Sequence, residues 1–171
     1  GQVFNSWIVS VGVTPDGRHA VSGAGFGFFG GDESTLKLWD IQTGREIRSF
    51  QKYKGWVTSV AISADGRLAL TGSQNTLKLW DIESGREIRT FTGHTSAVYS
   101  VAFSPNGKYI LSGGFDGTTR IWNISTGKEI AQFIGFTDGE WIVVTPEGYY
   151  NSSLKGHEYL NIRMGNKVYG I

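Results

Sequence analysis

Short runs of apolar residues recur along the chain, and polar turns separate them. The segments VTSVAIS (57–63) and VYSVAFS (98–104) alternate or cluster their apolar residues as short, partly buried strands do. An Asp-Gly or Asn-Gly turn follows each segment and ends at Gly66 or Gly107. Short strands joined by tight turns predict an all-β fold.

The chain repeats itself with a period of about 41 residues. Trp39 ends the pattern TLKLW, Trp80 ends the same pattern 41 residues later, and Trp122 ends the related TTRIW after a further 42. A second marker keeps step with the first: the turns TPDG, SADG, SPNG and TPEG end at Gly17, Gly66, Gly107 and Gly148. A fixed period of this length is typical of repeat architectures such as solenoids and propellers.

These repeats resemble those of the WD-repeat family, whose units form the four-stranded blades of a β-propeller. The resemblance covers essentially the whole chain, and it implies one domain (1–171) of four blades, each with strands a to d running outward. The expected blades are at about residues 7–50, 56–91, 97–133 and 140–171. The fourth is degenerate, because Arg163 stands at the Trp position. The tail resembles the terminal blade of bacterial WD-repeat proteins that are fused to caspase-like peptidase or other effector domains.

The resemblance also implies a structural hydrogen-bond network in each blade, formed by a His, a Ser or Thr, an Asp and the Trp. Buried polar groups of this kind require one another as partners. The third unit carries the whole set: His94, Ser112, Asp116 and Trp122. The first two units retain Trp39 and Trp80, but the second has Tyr53 at the His position and Gln74 or Asn75 at the Asp position. We interpret His94 as structural rather than catalytic.

The family resemblance implies rings of seven or eight blades, so four units make half of a ring, and we expect half of an eight-bladed one. A half-ring exposes the sheet faces at its two ends, and exposed apolar faces of this kind favour association. Two outcomes are open. Two copies could join head to tail into a closed ring, or these units could be part of a longer propeller. We favour the first, a homodimer that completes the ring.

Candidate partner-binding residues fall on the top face, where the family geometry places the d–a and b–c loops. The first unit has a long Gly-rich insertion there, GAGFGFFGGDES (23–34), and aromatic residues precede strand a in two units. The Phe residues either anchor a partner or fold back over the neighbouring blade, and the Trp residues either bind a partner or cap the blade edges. The candidates are Trp7, Phe26, Phe28, Phe29, Tyr53, Lys54 and Trp56.

Composition narrows the function classes. The 171 residues carry a formal net charge of +1, which argues against a dedicated nucleic-acid binder. The absence of Cys excludes disulfides, catalysis by a thiolate and metal sites with thiolate ligands. No apolar run is long enough for a transmembrane helix, so no membrane partner is expected. Gly25-x-Gly27-x-x-Gly30 fits a dinucleotide fingerprint but is followed by a predicted strand rather than a helix, so no cofactor is expected.

Three functions remain open at this stage. The first, which we favour, is a non-catalytic protein-interaction scaffold that presents the propeller top face to a protein or peptide. The second is the C-terminal half of a larger WD-repeat effector or regulatory protein, inert alone. The third is an enzyme that uses the central channel; we do not expect it, because the histidines share no metal-ligand spacing and no nucleophile motif is present.

Overall fold

The computed structural model describes the backbone of residues 7–25, 33–34, 36–50, 53–54, 56–164 and 167–170. Within these residues the side chains of 7–25, 36–50 and 56–160 are described. Strands β1 to β18 are numbered in chain order, and the four-residue 3-10 helix Gly156–Tyr159 lies between β16 and β17.

The strands and their bounds are β1 Ile8–Val13, β2 His19–Ala24, β3 Glu33–Ser34, β4 Leu36–Asp40, β5 Glu46–Ser49, β6 Tyr53–Lys54, β7 Ser59–Ile62, β8 Leu68–Gly72, β9 Thr76–Asp81, β10 Glu87–Thr92, β11 Val98–Phe103, β12 Tyr109–Gly114, β13 Thr118–Asn123, β14 Glu129–Gly135, β15 Trp141–Val144, β16 Tyr150–Ser152, β17 Asn161–Met164 and β18 Lys167–Gly170.

Three antiparallel sheets form the body of the structure. The first has the order β1-β2-β4-β5, the second β7-β8-β9-β10, and the third β11-β12-β13-β14-β15-β16. Two short ladders, β3 with β6 and β17 with β18, complete the pairing. The structure is therefore all-β, and its four-stranded sheets fit the blades of a propeller.

The turn between the first two strands of each sheet is built in the same way. In the first sheet Thr14 donates its hydroxyl to Asp16 Oδ1 at 2.6 Å, and the same oxygen accepts the Arg18 N–H at 3.0 Å. Gly17 closes the turn with a φ of 70°, which a glycine adopts without steric cost. The equivalent residues are Ser63, Asp65 and Gly66 in the second sheet and Ser104, Asn106 and Gly107 in the third. These hairpins are therefore specified by local sequence.

Each sheet has two different faces, because side chains alternate along a strand. We call the side that carries the repeat's Trp the tryptophan face, and the side that carries Leu38 or Leu79 the leucine face. The leucine face of the first sheet packs on Trp80 of the second, where Phe50 and Trp80 meet edge to face with ring centroids 6.1 Å apart. The leucine face of the second sheet packs in the same way on Trp122 of the third. Within the described residues the core therefore consists of two copies of one contact.

The fourth predicted unit differs from the expectation. Its first strands, β15 and β16, extend the third sheet beyond β14, with Phe133 opposite Val143. The reason is a tight turn in which the Phe136 N–H donates to the Glu140 carbonyl at 2.9 Å, so β14 returns as a hairpin instead of crossing to a new sheet. Its last strands, β17 and β18, pair with each other. Within the described residues the separate four-stranded blade predicted at 140–171 is therefore not formed.

Candidate partner-binding site

A connected set of hydrogen bonds ties the loop before β11 to the centre of the third sheet. The imidazole of His94 lies with Nδ1 2.9 Å from Asp116 Oδ2 and Nε2 2.8 Å from Ser112 Oγ. Trp122 donates its indole N–H to the same Ser112 oxygen at 2.9 Å. The structure thus brings together the four residues expected to form a network, and it engages both imidazole nitrogens within the protein.

The electrostatics of this network fix the direction of its hydrogen bonds. Burial on its own raises the pKa of Asp116, but hydrogen bonds from Thr118, from the Thr95 N–H and from His94 outweigh it and hold that pKa well below its ordinary value. An ionised carboxylate only accepts hydrogen bonds. His94 Nδ1 therefore donates to Asp116 Oδ2, and this bond orients the imidazole with Nε2 against Ser112 Oγ. This arrangement supports a structural role for His94.

Among the described side chains, the other two sheets share one bond with this network. Trp39 donates its indole N–H to Ser22 Oγ at 2.8 Å, and Trp80 donates to Thr71 Oγ1 at 3.0 Å. In the second sheet Gln74 lies exposed in the turn between β8 and β9. The bond from the indole to a hydroxyl on the second strand is thus the part common to all three sheets.

A groove opens at one end of the sheets, between the second and the third. It has a volume of about 440 Å³ and is formed by the loop before β7, the turn between β8 and β9, and the loop before β11. We call this end the top face, because these are the d–a and b–c loops. The residues that line the groove are uncharged: Trp56, Thr58, Gln74, Asn75, Thr95, Ser96, Ala97 and Tyr99.

Exposed aromatic rings stand in and beside this groove. Trp56 is exposed, and Tyr99 on β11 has 62% of its surface accessible. Phe115, in the turn between β12 and β13, is 76% exposed and meets Tyr99 nearly edge to face, with centroids 6.1 Å apart. Trp7 is also exposed, at the start of the first sheet. Large exposed aromatic residues of this kind are enriched in protein interfaces.

The predicted partner-binding residues are only partly brought together. Trp56 lines the groove, and Trp7 occupies the equivalent position one sheet earlier. Tyr53 and Lys54 form β6, which pairs with Glu33–Ser34 in the insertion of the first unit. The remaining three predicted residues, Phe26, Phe28 and Phe29, lie outside the described residues.

The sequence analysis did not identify several residues of the network and of the groove, although alignment of the repeats could have identified one of them. Thr71 stands at the position of Ser22 and Ser112 on the second strand, so the repeat register points to it. Tyr99 and Phe115 carry no such signal, because their exposure follows from where β11 and the following turn lie. Arg120 was also missed; its guanidinium bonds Glu129 at 2.7 Å beside the network.

No group of three or more His, Asp or Glu side chains in the described part of the chain could hold a metal ion. Among the same residues, no helix has the length and apolar character needed to cross a membrane.

Two stretches of the chain match a known family model. Residues 44–81 and 85–123 match the model described as "WD domain, G-beta repeat". Each stretch runs from the third-to-fourth-strand turn of one sheet to the third strand of the next. Together with the four-stranded sheets, these matches support the WD-repeat family for this chain. No curated protein matches the chain.

Solved structures share the fold. "Structure of U3-55K" aligns with a TM-score of 0.70 at 21% identity, covering 88% of this chain and 53% of that one. "Crystal structure of RRP9 WD40 repeats" aligns with the same TM-score and identity, covering 88% of this chain and 52% of that one. At this identity the likeness shows the fold alone. The chain spans about half the length of these structures.

Proposed function

We propose that this chain is a non-catalytic protein-interaction scaffold that binds an extended, uncharged peptide segment of a partner protein in the top-face groove. The groove itself is the observation that supports this function most directly. It combines an open volume of about 440 Å³ with aromatic walls and a lining without charged residues.

The chemistry of the lining suits a peptide. Trp56 and Tyr99 offer apolar area at low entropic cost, as aromatic anchors at interfaces do. Gln74 and Asn75 offer amide donors and acceptors, and the Thr95 hydroxyl adds another, so that a peptide backbone keeps its hydrogen bonds when it leaves water. Because no charged residue lines the groove, we expect an affinity that depends little on salt.

Selection from a random peptide display library tests this proposal. We expect the immobilised chain to enrich uncharged peptides with an apolar residue, and Trp56→Ala or Tyr99→Ala to lower their affinity at least tenfold. Trp141→Ala is the matched control, because Trp141 is also an exposed indole but lies on β15, away from the groove.

Three outcomes would count against the groove. The first is peptides that bind the Trp56→Ala and Tyr99→Ala proteins as well as they bind the parent chain. The second is affinities that fall steeply with salt, which would indicate a charged surface elsewhere. The third is a folded chain that enriches no peptide at all.

The other predicted top-face residues enter the same proposal. Trp7 extends the aromatic surface by one sheet, and we propose that Tyr53, Lys54 and the three insertion phenylalanines also contribute to partner binding. Peptides selected on the groove should then lose affinity on Trp7→Ala if they are long enough to reach the first sheet.

The second candidate function is that of a segment of a larger WD-repeat effector or regulatory protein, inert alone and of bacterial type. Its supporting observation is that the chain spans about half the length of the solved structures it resembles. This candidate predicts that the folded chain alone enriches no peptide that depends on Trp56 or Tyr99, which is the opposite of the first proposal.

We propose in addition that copies of the chain associate end to end, as the open end sheets favour. Such association leaves the top face accessible, because the groove lies at the strand ends and not on a sheet face. The two proposals therefore stand or fall on different measurements.

A further inference from the structure

The contact between neighbouring sheets occurs twice among the described residues, and both occurrences are built from the same positions. Phe50 on the leucine face of the first sheet meets Trp80, and Phe91 of the second meets Trp122 with ring centroids 5.9 Å apart. Among the described residues, one half of this contact is therefore left open on the first sheet, and the other half on the third.

The tryptophan face of the first sheet is the first open half. Val11 on β1 is 63% exposed, whereas the equivalent Val60 and Val101 are 8% and 7% exposed under the preceding sheet. Trp39 is only half-buried, whereas Trp80 and Trp122 are buried. Ile8 and Val13 are exposed beside Val11. The tryptophan face of the first sheet is therefore as apolar as the tryptophan faces that a neighbouring sheet covers.

The leucine face of the third sheet is the second open half. Leu111 is 38% exposed, whereas the equivalent Val21 and Leu70 are fully buried. Phe133 stands at the position of Phe50 and Phe91 and is exposed where those two are buried. The third sheet therefore presents the residues that cover a tryptophan face elsewhere in the chain.

A glycine at one position of the second strand records how closely a neighbouring sheet approaches. A Cβ on Gly23 would lie 2.9 Å from Val60 Cγ2, and a Cβ on Gly72 would lie 3.1 Å from Val98 Cγ1. Only glycine fits such a close approach comfortably. Gly113 is the equivalent residue of the third sheet, and the nearest atom to its Cβ position is the Ser100 Cβ, 4.0 Å away. Gly113 therefore leaves room for a closely packed sheet, and no described part of the chain fills that room.

A hydrogen bond between sheets shows the same pattern. Ser10 Oγ accepts the Val60 N–H at 2.9 Å, and Ser59 Oγ accepts the Val101 N–H at 3.3 Å. The next serine of the series, Ser100, is exposed on the open side of the third sheet. The donors in these two bonds are the N–H groups of Val60 and Val101. The equivalent residue of the first sheet is Val11, on its open face.

We infer that the leucine face of the third sheet of one copy docks on the tryptophan face of the first sheet of a second copy. This inference rests on the proposed self-association and names its surfaces: Phe133 covers Trp39, Gly113 receives Ile8 and Val11, and Ser100 accepts the Val11 N–H. The contact is heterologous, joining two different surfaces, so it builds a ring if the rotation closes and a filament if it does not.

Two departures make this contact weaker than the internal ones. Thr119 replaces the buried Leu36 and Leu77 of the equivalent position, and Ala131 replaces an arginine that in the second sheet, as Arg89, bonds the carbonyl of Ser125 in the third at 3.1 Å. Association is therefore expected to depend on concentration.

Gly113→Leu separates docking from folding. A leucine there meets open space in the single chain, so we expect an unchanged melting temperature, but it blocks the close approach of a second sheet. We expect the parent chain to sediment above its single-chain mass of 18.7 kDa at high concentration and Gly113→Leu to stay at that mass. Thr137→Leu, an exposed loop position, is the control for an added surface leucine.

Single cysteines then test which surfaces meet, because the chain has no cysteine of its own. Val11→Cys and Ser100→Cys proteins, mixed and treated with a short bismaleimide, should cross-link to each other more than either does to itself. Preferential cross-linking of each variant to itself would overturn the head-to-tail contact.

The remaining outcomes separate this inference from the proposal beneath it. An associating parent chain whose mass is unaffected by Gly113→Leu would overturn the named surfaces while self-association stands. A parent chain that stays at the mass of one chain at all concentrations would overturn both. Neither result touches peptide binding at the groove.

Discussion

Trp80 of the second sheet and Trp122 of the third occupy the same position of the repeat, but their hydrogen-bond surroundings differ. Trp122 donates to Ser112, and the network continues through His94 to Asp116 in the turn between β12 and β13. Trp80 donates to Thr71 and is buried just as completely, although Gln74 of its sheet lies exposed in the groove.

This difference teaches which part of the network the fold requires. Burial of the indole and one hydroxyl partner are common to both sheets, so they belong to the packing of sheet on sheet. The His and Asp extension belongs to the third sheet among the described residues, where it joins a loop to a turn. In the second sheet the equivalent turn, between β8 and β9, carries Gln74 and Asn75 at the Asp position, and these two residues line the groove.

The largest expected effect is the loss of either buried tryptophan. Trp80→Ala and Trp122→Ala each leave a large cavity between two sheets, so each should lower the free energy of unfolding by about 3–5 kcal/mol. Urea unfolding followed by fluorescence or circular dichroism measures both. Similar losses would sharpen the comparison, whereas a much smaller loss at Trp80 would show that the network, not the packing, holds the indole.

Removal of the imidazole comes next. His94→Ala removes one hydrogen-bond partner from Ser112 and one from the ionised Asp116, and it leaves a cavity between them, so it should lower the free energy of unfolding by about 2–3 kcal/mol. His157→Ala is the matched control, since His157 is partly exposed on the 3-10 helix, and its effect should stay within about 0.5 kcal/mol. Equal effects of the two substitutions would contradict a structural network around His94.

A smaller effect is expected at the hydroxyl of the second sheet. Thr71→Val keeps the shape of a fully buried side chain but leaves the Trp80 N–H without its acceptor, which should cost about 1–2 kcal/mol. Thr71→Ser keeps the hydroxyl and should cost less. Chemical denaturation of the three proteins under one condition tests this order, and a Thr71→Ser protein less stable than Thr71→Val would refute the role of the hydrogen bond.

The smallest effect is a pH dependence confined to the third sheet. The folded-state pKa of Asp116 lies below the ordinary Asp value of about 3.9, so its stabilising contribution is complete above that pH and is lost as the pH falls through the folded-state pKa. The difference in unfolding free energy between the parent chain and Asp116→Asn should therefore be constant from pH 5 to pH 7 and shrink below about pH 4. A difference that stays constant into acid would contradict the ionised network.

The repeats made much of this structure predictable. The Ser/Thr-x-Asp/Asn-Gly turns form through local hydrogen bonds and a glycine of positive φ, so their positions follow from four consecutive residues. The set around His94 could be named in advance because its spacing matches the family. Tyr99 and Phe115 could not, because nothing in their sequence context distinguishes an exposed ring from a buried one.

The sequence by itself determined the register of the strands, the turns and the face on which each tryptophan stands, because these depend on neighbours in the chain. Only the tertiary structure decided that β15 and β16 join the third sheet. The turn after β14 places β15 beside the free edge of β14, and the strand pairs with that edge. Only the tertiary structure decided, too, that Val11 is exposed and Val60 buried. The two residues occupy one position of the same repeat, and what separates them is whether another sheet lies against them.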